Sequence, residues 1–141
     1  KIVNVGNYRR NILGAGQEAD FFNGNNPDNV TQRKKLSEVA LADSIQWLKD
    51  GGQVVLFDAT NTTRDRREYI VNTLLADKEL GMTKQRIIFL EIVCNDPKII
   101  EANVREIKVK SNDYIGWEPE KVCSSCTRVC ILNFFFLAGL S

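Results

Sequence analysis

The sequence predicts an α/β fold, a parallel sheet with flanking helices. Gln53-Val54-Val55-Leu56-Phe57 and Ile87-Ile88-Phe89-Leu90-Glu91-Ile92-Val93 are short, nearly continuous apolar runs. Strands covered on both faces of a parallel sheet take this form. The stretches between them carry apolar residues at helical spacing and are long enough to serve as crossovers, so strand and helix alternate. With 141 residues, 43% hydrophobic and 26% charged, the chain is sized for one domain with a buried core.

The elements follow in order. Ile2 to Val5 is a first, weaker strand. Asn29 to Asp50 reads as a helix with Leu41, Ile45 and Leu48 on one face and Leu36, Ala40 and Trp47 beside them. Gly51-Gly52 stops it. The strand over Gln53–Phe57 ends in Asp58. Thr62 or Thr63 then caps a helix through about Ala76 that buries Ile70 and Leu74. After the Ile87–Val93 strand, Asp96-Pro97 pairs a capping aspartate with proline at the first helical position. That third helix buries Ile100, Val104 and Ile107. The three strands are expected to run parallel, with ligands bound beyond their carboxyl ends.

Composition removes several chemistries. With no histidine there is no Ser-His-Asp or Cys-His catalysis and no histidine zinc ligand. A net charge of +1 gives no electrostatic case for a nucleic-acid or membrane-surface protein. The longest apolar run, Ile131 to Leu140, is broken by Asn133 and Gly139 and is short of the ~20 residues that span a bilayer. No signal-peptide pattern opens the chain, and a cytoplasmic location is expected. It begins on Lys1-Ile2-Val3 in what reads as the middle of a strand, so it is either processed or a fragment. Of four cysteines, Cys94 stands alone while Cys123, Cys126 and Cys130 form C-x2-C-x3-C. A metal there needs a fourth ligand from Cys94 or a carboxylate, and unpaired thiols in a poorly ordered tail are the favoured reading.

Chemistry is expected after the strands. Val54-Val55-Leu56-Phe57-Asp58 has the form of a Walker-B element, in which the aspartate holds magnesium or takes a proton from a hydroxyl nucleophile. A structural turn is the plainer alternative. Thr60-Asn61-Thr62-Thr63-Arg64-Asp65-Arg66-Arg67 follows at once and opens a helix. Backbone N–H groups there favour an anion, and Arg66 adds a bidentate phosphate contact. Tyr8-Arg9-Arg10, Arg33-Lys34-Lys35, and Lys108 with Lys110 are further basic clusters, each readable alone as solvated surface.

Taken together, these residues resemble a known family. Asn4-Val5-Gly6-Asn7-Tyr8-Arg9-Arg10, Asp20-Phe21-Phe22, the run Phe57 to Arg67, Cys94-Asn95-Asp96-Pro97 and Ser111-Asn112-Asp113-Tyr114 occur in order. Over residues 1–114 they are similar to the kinase domain of 6-phosphofructo-2-kinase/fructose-2,6-bisphosphatase. The resemblance implies a P-loop NTPase-like fold and ATP-dependent phosphoryl transfer to the 2-hydroxyl of fructose 6-phosphate, with ATP and Mg2+ as cofactors. It implies Asp58 as the catalytic acidic residue and magnesium ligand, and Cys94 as the family's active-site thiol position. Thr60, Arg66, Arg33, Lys108 and one of Arg9 or Arg10 are the implied fructose 6-phosphate contacts, and Asn103 to Lys108 the ATP contacts.

The sequence also departs from that pattern. No G-x-x-x-x-G-K-[ST] occurs in the 141 residues, so the strand and loop that cradle nucleotide phosphates are expected to be missing. The phosphatase half is absent, as the lack of histidine requires. The motif resemblance ends near Gly116, which divides the chain into a partial kinase domain, 1–116, and a divergent Cys/Phe-rich tail, 117–141. Phe134-Phe135-Phe136 shows no strand alternation, and the tail from about Val122 is expected to stay out of the sheet. Two readings result: a piece of a sugar-phosphate kinase, or a non-enzymatic remnant that only binds anionic ligands or partners.

Overall fold

A computed structural model describes residues 1–17, 21, 25–61, 63–103, 105–106 and 131–138. Strand β1 (Ile2–Asn4) leads directly into helix α1 (Val5–Leu13), followed by α2 (Pro27–Lys49), β2 (Val54–Ala59) and α3 (Arg64–Ala76). Strand β3 (Ile87–Val93), helix α4 (Pro97–Asn103) and strand β4 (Ile131–Ala138) complete the order. The expected α/β alternation is present, and one helix beyond it, α1.

Local chemistry sets the helix ends. Asn4 is the N-cap of α1: its side-chain oxygen accepts from the Asn7 N–H at 2.9 Å. At the far end the Gly14 N–H donates to the Arg10 carbonyl at 3.0 Å. Helix α2 starts at Pro27, earlier than the apolar pattern alone suggests, because Asn26 accepts from the Asp28 and Asn29 N–H groups and proline suits the first turn. It stops where Gly51 adopts φ +92°. A Cβ on Gly52 would lie 2.1 Å from the Trp47 ring, so only glycine lets the chain turn back beneath that indole.

The sheet order is β1-β2-β4-β3. β1 runs parallel to β2, with Asn4 opposite Asp58. β4 is antiparallel both to β2, over six residue pairs, and to β3, over seven. The three strands expected from sequence therefore do run in one direction, but β2 and β3 are not neighbours. The expectation that the tail stays out of the sheet is corrected: Ile131–Ala138 is a central strand. The reason is physical. A central strand pairs along both edges through its main chain, and Ile131-Leu132-Asn133-Phe134-Phe135-Phe136-Leu137-Ala138 is rich in the aromatic and aliphatic residues that favour strands whether or not they alternate. The expected boundary between 116 and 117 and the cysteines at 123, 126 and 130 lie outside the described residues.

One core holds the elements together. Val3, Ala40, Leu41, Leu48, Val55, Phe57, Ile70, Leu74, Leu80, Met82 and Ile87 form it, with Ile45 and Trp47 packed against it. Coverage is unequal along the sheet, which corrects the expectation that both strand faces are buried. Val55 and Phe57 are completely buried, yet Val54 is 47% exposed. On the edge strand β3, Ile88, Phe89 and Leu90 are 55%, 45% and 43% exposed. An apolar run specifies a strand able to be covered on both faces; how far neighbours cover it depends on the rest of the assembly. Helix α4 has no buried residue: Ile100 is only half-buried, while Val104 and Ile107 are not among the described residues.

Candidate functional site

The carboxyl ends of β1, β2 and β3 point to one edge of the sheet. Parallel geometry alone brings Asn4, Asp58 and Cys94 to that edge from positions far apart in the sequence. Asp58 is half-buried, and its Oδ2 accepts a short hydrogen bond from the Asn4 side-chain N–H. Asn4 thus performs two tasks, capping α1 through its oxygen and orienting the carboxylate through its nitrogen. Cys94 follows β3 as a half-buried free thiol. Between Asp58 and Cys94 runs β4, whose Asn133 stands opposite Ala59 on one side and Glu91 on the other.

The turn after β2 is built on Asn61. This residue is fully buried and has φ +37°, the left-handed region that asparagine enters more readily than most residues. Its Oδ1 accepts from the Arg66 Nε at 2.9 Å, and its backbone carbonyl accepts from the Arg67 guanidinium at 3.0 Å. Its Nδ2 donates back to the Ala59 carbonyl at 3.3 Å. One buried asparagine therefore folds the first turn of α3 against the end of β2 and aims Arg66. Thr60 beside it is exposed.

Charge is concentrated at this corner. Burial, and then the nearby positive charge of Arg33, lower the Arg66 guanidinium from its ordinary range. The charge of Arg33 from α2 acting on Arg66 from α3 marks a local excess of positive potential, which an anion relieves. Lys34, next to Arg33, lies 5.9 Å from the Tyr69 ring centre, a second link between the two helices. From α1, Arg9 is 7% exposed, and the Arg10 guanidinium donates to the Asn7 side chain at 2.5 Å. The Tyr8 hydroxyl donates to Asp43 at 2.7 Å; burial first, and that carboxylate second, push its pKa up to about 12.

Of the residues expected from sequence, the structure draws Asp58, Thr60 and Arg66 into one corner with Arg33 close to Arg66. Cys94 shares the sheet edge across β4. Arg9 and Arg10 lie on α1, which leaves the same edge. Asn103 is exposed at the end of α4, and Lys108 lies outside the described residues. Asn4 and Asn61 were not singled out by the sequence reading. Asn4 stands where a strand hands over to a helix, an N-cap signal, and Asn61 lies in the middle of the run that carries the resemblance. An open cleft of about 500 Å³ lies elsewhere along α3, lined by Arg64, Arg67, Glu68, Val71, Asn72, Lys84 and Phe89.

For Mg2+, Asp58 supplies a single carboxylate, which suits a cation held mainly by substrate phosphates and water. Among the described residues there is no group of three or more carboxylates or thiols that could hold a metal by itself. No helix among them is long and apolar enough to cross a membrane.

The family model described as 6-phosphofructo-2-kinase matches residues 1–129, beyond Gly116 where the motif resemblance ends. A 6-phosphofructo-2-kinase/fructose-2,6-bisphosphatase from Arabidopsis thaliana is 44% identical over 114 residues, covering 81% of this chain and 14% of that protein. The like-named protein of Caenorhabditis elegans is 42% identical over 122 residues, 82% of this chain and 25% of that one. The human 6-phosphofructo-2-kinase/fructose-2,6-bisphosphatase 3 is 39% identical over 115 residues, 81% of this chain and 21% of that protein. The chain spans between a seventh and a quarter of the length of these relatives.

Proposed function

We propose, because this chain belongs to the 6-phosphofructo-2-kinase family, that its Asp58 corner is the sugar-phosphate side of a phosphotransferase site. The observation that carries the reading is the half-buried Arg66 guanidinium, which feels the charge of Arg33 and is aimed by Asn61 in the turn that follows the β2 end carrying Asp58. The substrate is fructose 6-phosphate. Arg66 and Arg33 bind its phosphate, Thr60 and one of Arg9 or Arg10 add contacts, and Lys108 joins them. Asp58, steered by Asn4, takes the proton from the 2-hydroxyl as that oxygen attacks the γ-phosphorus of ATP, whose bond to the bridging oxygen breaks and releases ADP. Fructose 2,6-bisphosphate is the product. Asn103 and Lys108 contact ATP, and Mg2+ beside Asp58 neutralises phosphate charge when bound. Cys94 lines the pocket; the reaction needs no covalent intermediate. A cytoplasmic location and action on glycolytic sugar phosphate go with this reading.

Phosphoryl transfer depends on charge neutralisation around the β- and γ-phosphates. The 141 residues contain no G-x-x-x-x-G-K-[ST] to provide it. That observation favours a second reading for the chain taken alone, a domain that binds anionic ligands without turnover. Calorimetric titration with fructose 6-phosphate, together with an assay for fructose 2,6-bisphosphate, tests both. Saturable binding that weakens at least tenfold in Arg66→Ala is expected, with Asp58→Ala leaving it nearly unchanged. Binding that ignores Arg66→Ala would refute the site. ATP-dependent product from the unmodified chain would refute the second reading.

A further inference from the structure

Helix α3 uses two faces. Ile70 and Leu74 are completely buried in the core. Arg64, Arg67, Glu68, Val71 and Asn72 stand at i, i+3, i+4, i+7 and i+8, a second stripe along the same helix. That stripe lines the open cleft of about 500 Å³, which Lys84, in the turn before β3, and Phe89, on β3, complete. Small-ligand pockets have volumes of roughly 300–1,000 Å³, so the cleft is of that size. Asp58, Thr60, Arg33 and Arg66 are not among its lining residues. The lining holds three cations and one carboxylate. Glu68 is matched by Arg64, whose Nε donates to it at 2.8 Å, so the charge that remains is positive. Lys84 is exposed, and its ammonium makes no ion pair among the described residues. The apolar part consists of Val71, which packs on the core, and the exposed Phe89 ring. Cations around an exposed aromatic face suit an anion that carries a flat ring. A sugar phosphate has no such face to lay on phenylalanine.

We propose that this cleft binds a nucleoside monophosphate, and that Arg67 and Asn61 carry its occupancy to Arg66. The base lies against Phe89 and Val71; stacking on an aromatic side chain serves any base. The Asn72 amide both donates and accepts, so it pairs with the polar edge of the base. The phosphate meets Lys84 and the guanidiniums of Arg64 and Arg67. Arg67 belongs to two settings at once. It lines the cleft, and its Nη1 donates to the Asn61 carbonyl at 3.0 Å. The side chain of the same asparagine accepts from the Arg66 Nε at 2.9 Å. A phosphate that draws on the Arg67 guanidinium therefore alters the hydrogen bonds that hold Asn61, and Asn61 aims Arg66. Neither the cleft nor this relay depends on the sugar-phosphate reading.

The test titrates the 15N-labelled 141-residue chain with inosine 5′-monophosphate and follows amide shifts together with the Arg66 Nε–H signal. A purine other than adenine keeps the ATP contacts proposed at Asn103 and Lys108 from being the target. Saturable shifts centred on residues 67–72, Lys84 and Phe89 are expected, with the Arg66 Nε–H moving along the same curve. Inosine and inorganic phosphate separate the two halves of the ligand, and each alone should bind roughly tenfold more weakly or worse. Phe89→Leu keeps apolar bulk without the ring and should weaken the nucleotide about fivefold or more. Lys84→Gln, on an exposed side chain, should weaken the nucleotide about threefold and leave inosine unaffected. Absent saturation, shifts centred on Asn103, inorganic phosphate binding as well as the nucleotide, or indifference to both substitutions would overturn the site. A saturated cleft with an unmoved Arg66 Nε–H would overturn the relay.

Discussion

Asn61 governs the candidate site although it carries no charge. It occupies a left-handed conformation, is buried, and holds both Arg66 and Arg67. Replacing it with alanine adds backbone strain of about 1–2 kcal/mol and removes a hydrogen bond to a charged group, roughly another 1.5–3 kcal/mol. Asn61→Gly relieves the first cost and keeps the second. Chemical denaturation should therefore rank stability as wild type, then Asn61→Gly, then Asn61→Ala, and both variants should bind fructose 6-phosphate more weakly because Arg66 loses its aim. Equal stability of the two variants would show that the φ value carries no strain. Tyr8 gives a pH-dependent check. Its folded-state pKa is pushed up to about 12, so it contributes stability that is complete below its unfolded value near 10. That contribution disappears as pH rises through about 12. Tyr8→Phe should flatten the alkaline loss of stability between those values, measured by thermal midpoints across pH 8 to 12. At this scale the charged residues were legible because arginine clusters after a strand end have an evident chemistry. The two asparagines were not, since their importance comes from backbone geometry that composition does not display.

At the scale of elements, β4 determines whether the sheet exists as one piece. Among the described residues, β3 is paired with no strand but β4. Deleting residues 131–141 would leave the inner edges of β2 and β3 open and detach β3, so the truncated chain should lose cooperative unfolding and aggregate through the exposed edges. A truncated chain that unfolds cooperatively at the wild-type temperature would remove β4 from the native sheet. Phe57, fully buried on β2, offers a calibrated comparison: Phe57→Ala should cost about 3–5 kcal/mol in denaturant unfolding. The segments 54–57 and 87–93, and the helices 29–49 and 64–76, were legible from run length and helical period. β4 is not legible from alternation, because its run has none; its aromatic and aliphatic composition is the strand signal it does carry. Helix α1 was missed for a related reason. Its apolar content is small, and its start is marked only by the Asn4 cap.

For the whole molecule, one sheet edge collects an oriented carboxylate, a pair of close guanidiniums and a thiol. The topology does this without any long-range sequence signal, because parallel strands deliver their carboxyl ends to the same side. The family match extends over most of the chain, whereas the relatives it matches are several times longer. Ile88 and Phe89 on β3 and Ile99 on α4 are exposed apolar side chains at the opposite end of the sheet order from β1. Everything proposed for this edge depends on whether Arg66 and Arg33, near the end of β2, bind a sugar phosphate. The most direct test is a titration of the 15N-labelled chain with fructose 6-phosphate, following backbone amide shifts and the Arg66 side-chain Nε–H. Saturating shifts centred on residues 58–67 and on Arg33, reversed by competing inorganic phosphate, are predicted. An unresponsive spectrum, or shifts centred on Asn72, Lys84 and Phe89 in the separate cleft, would contradict it.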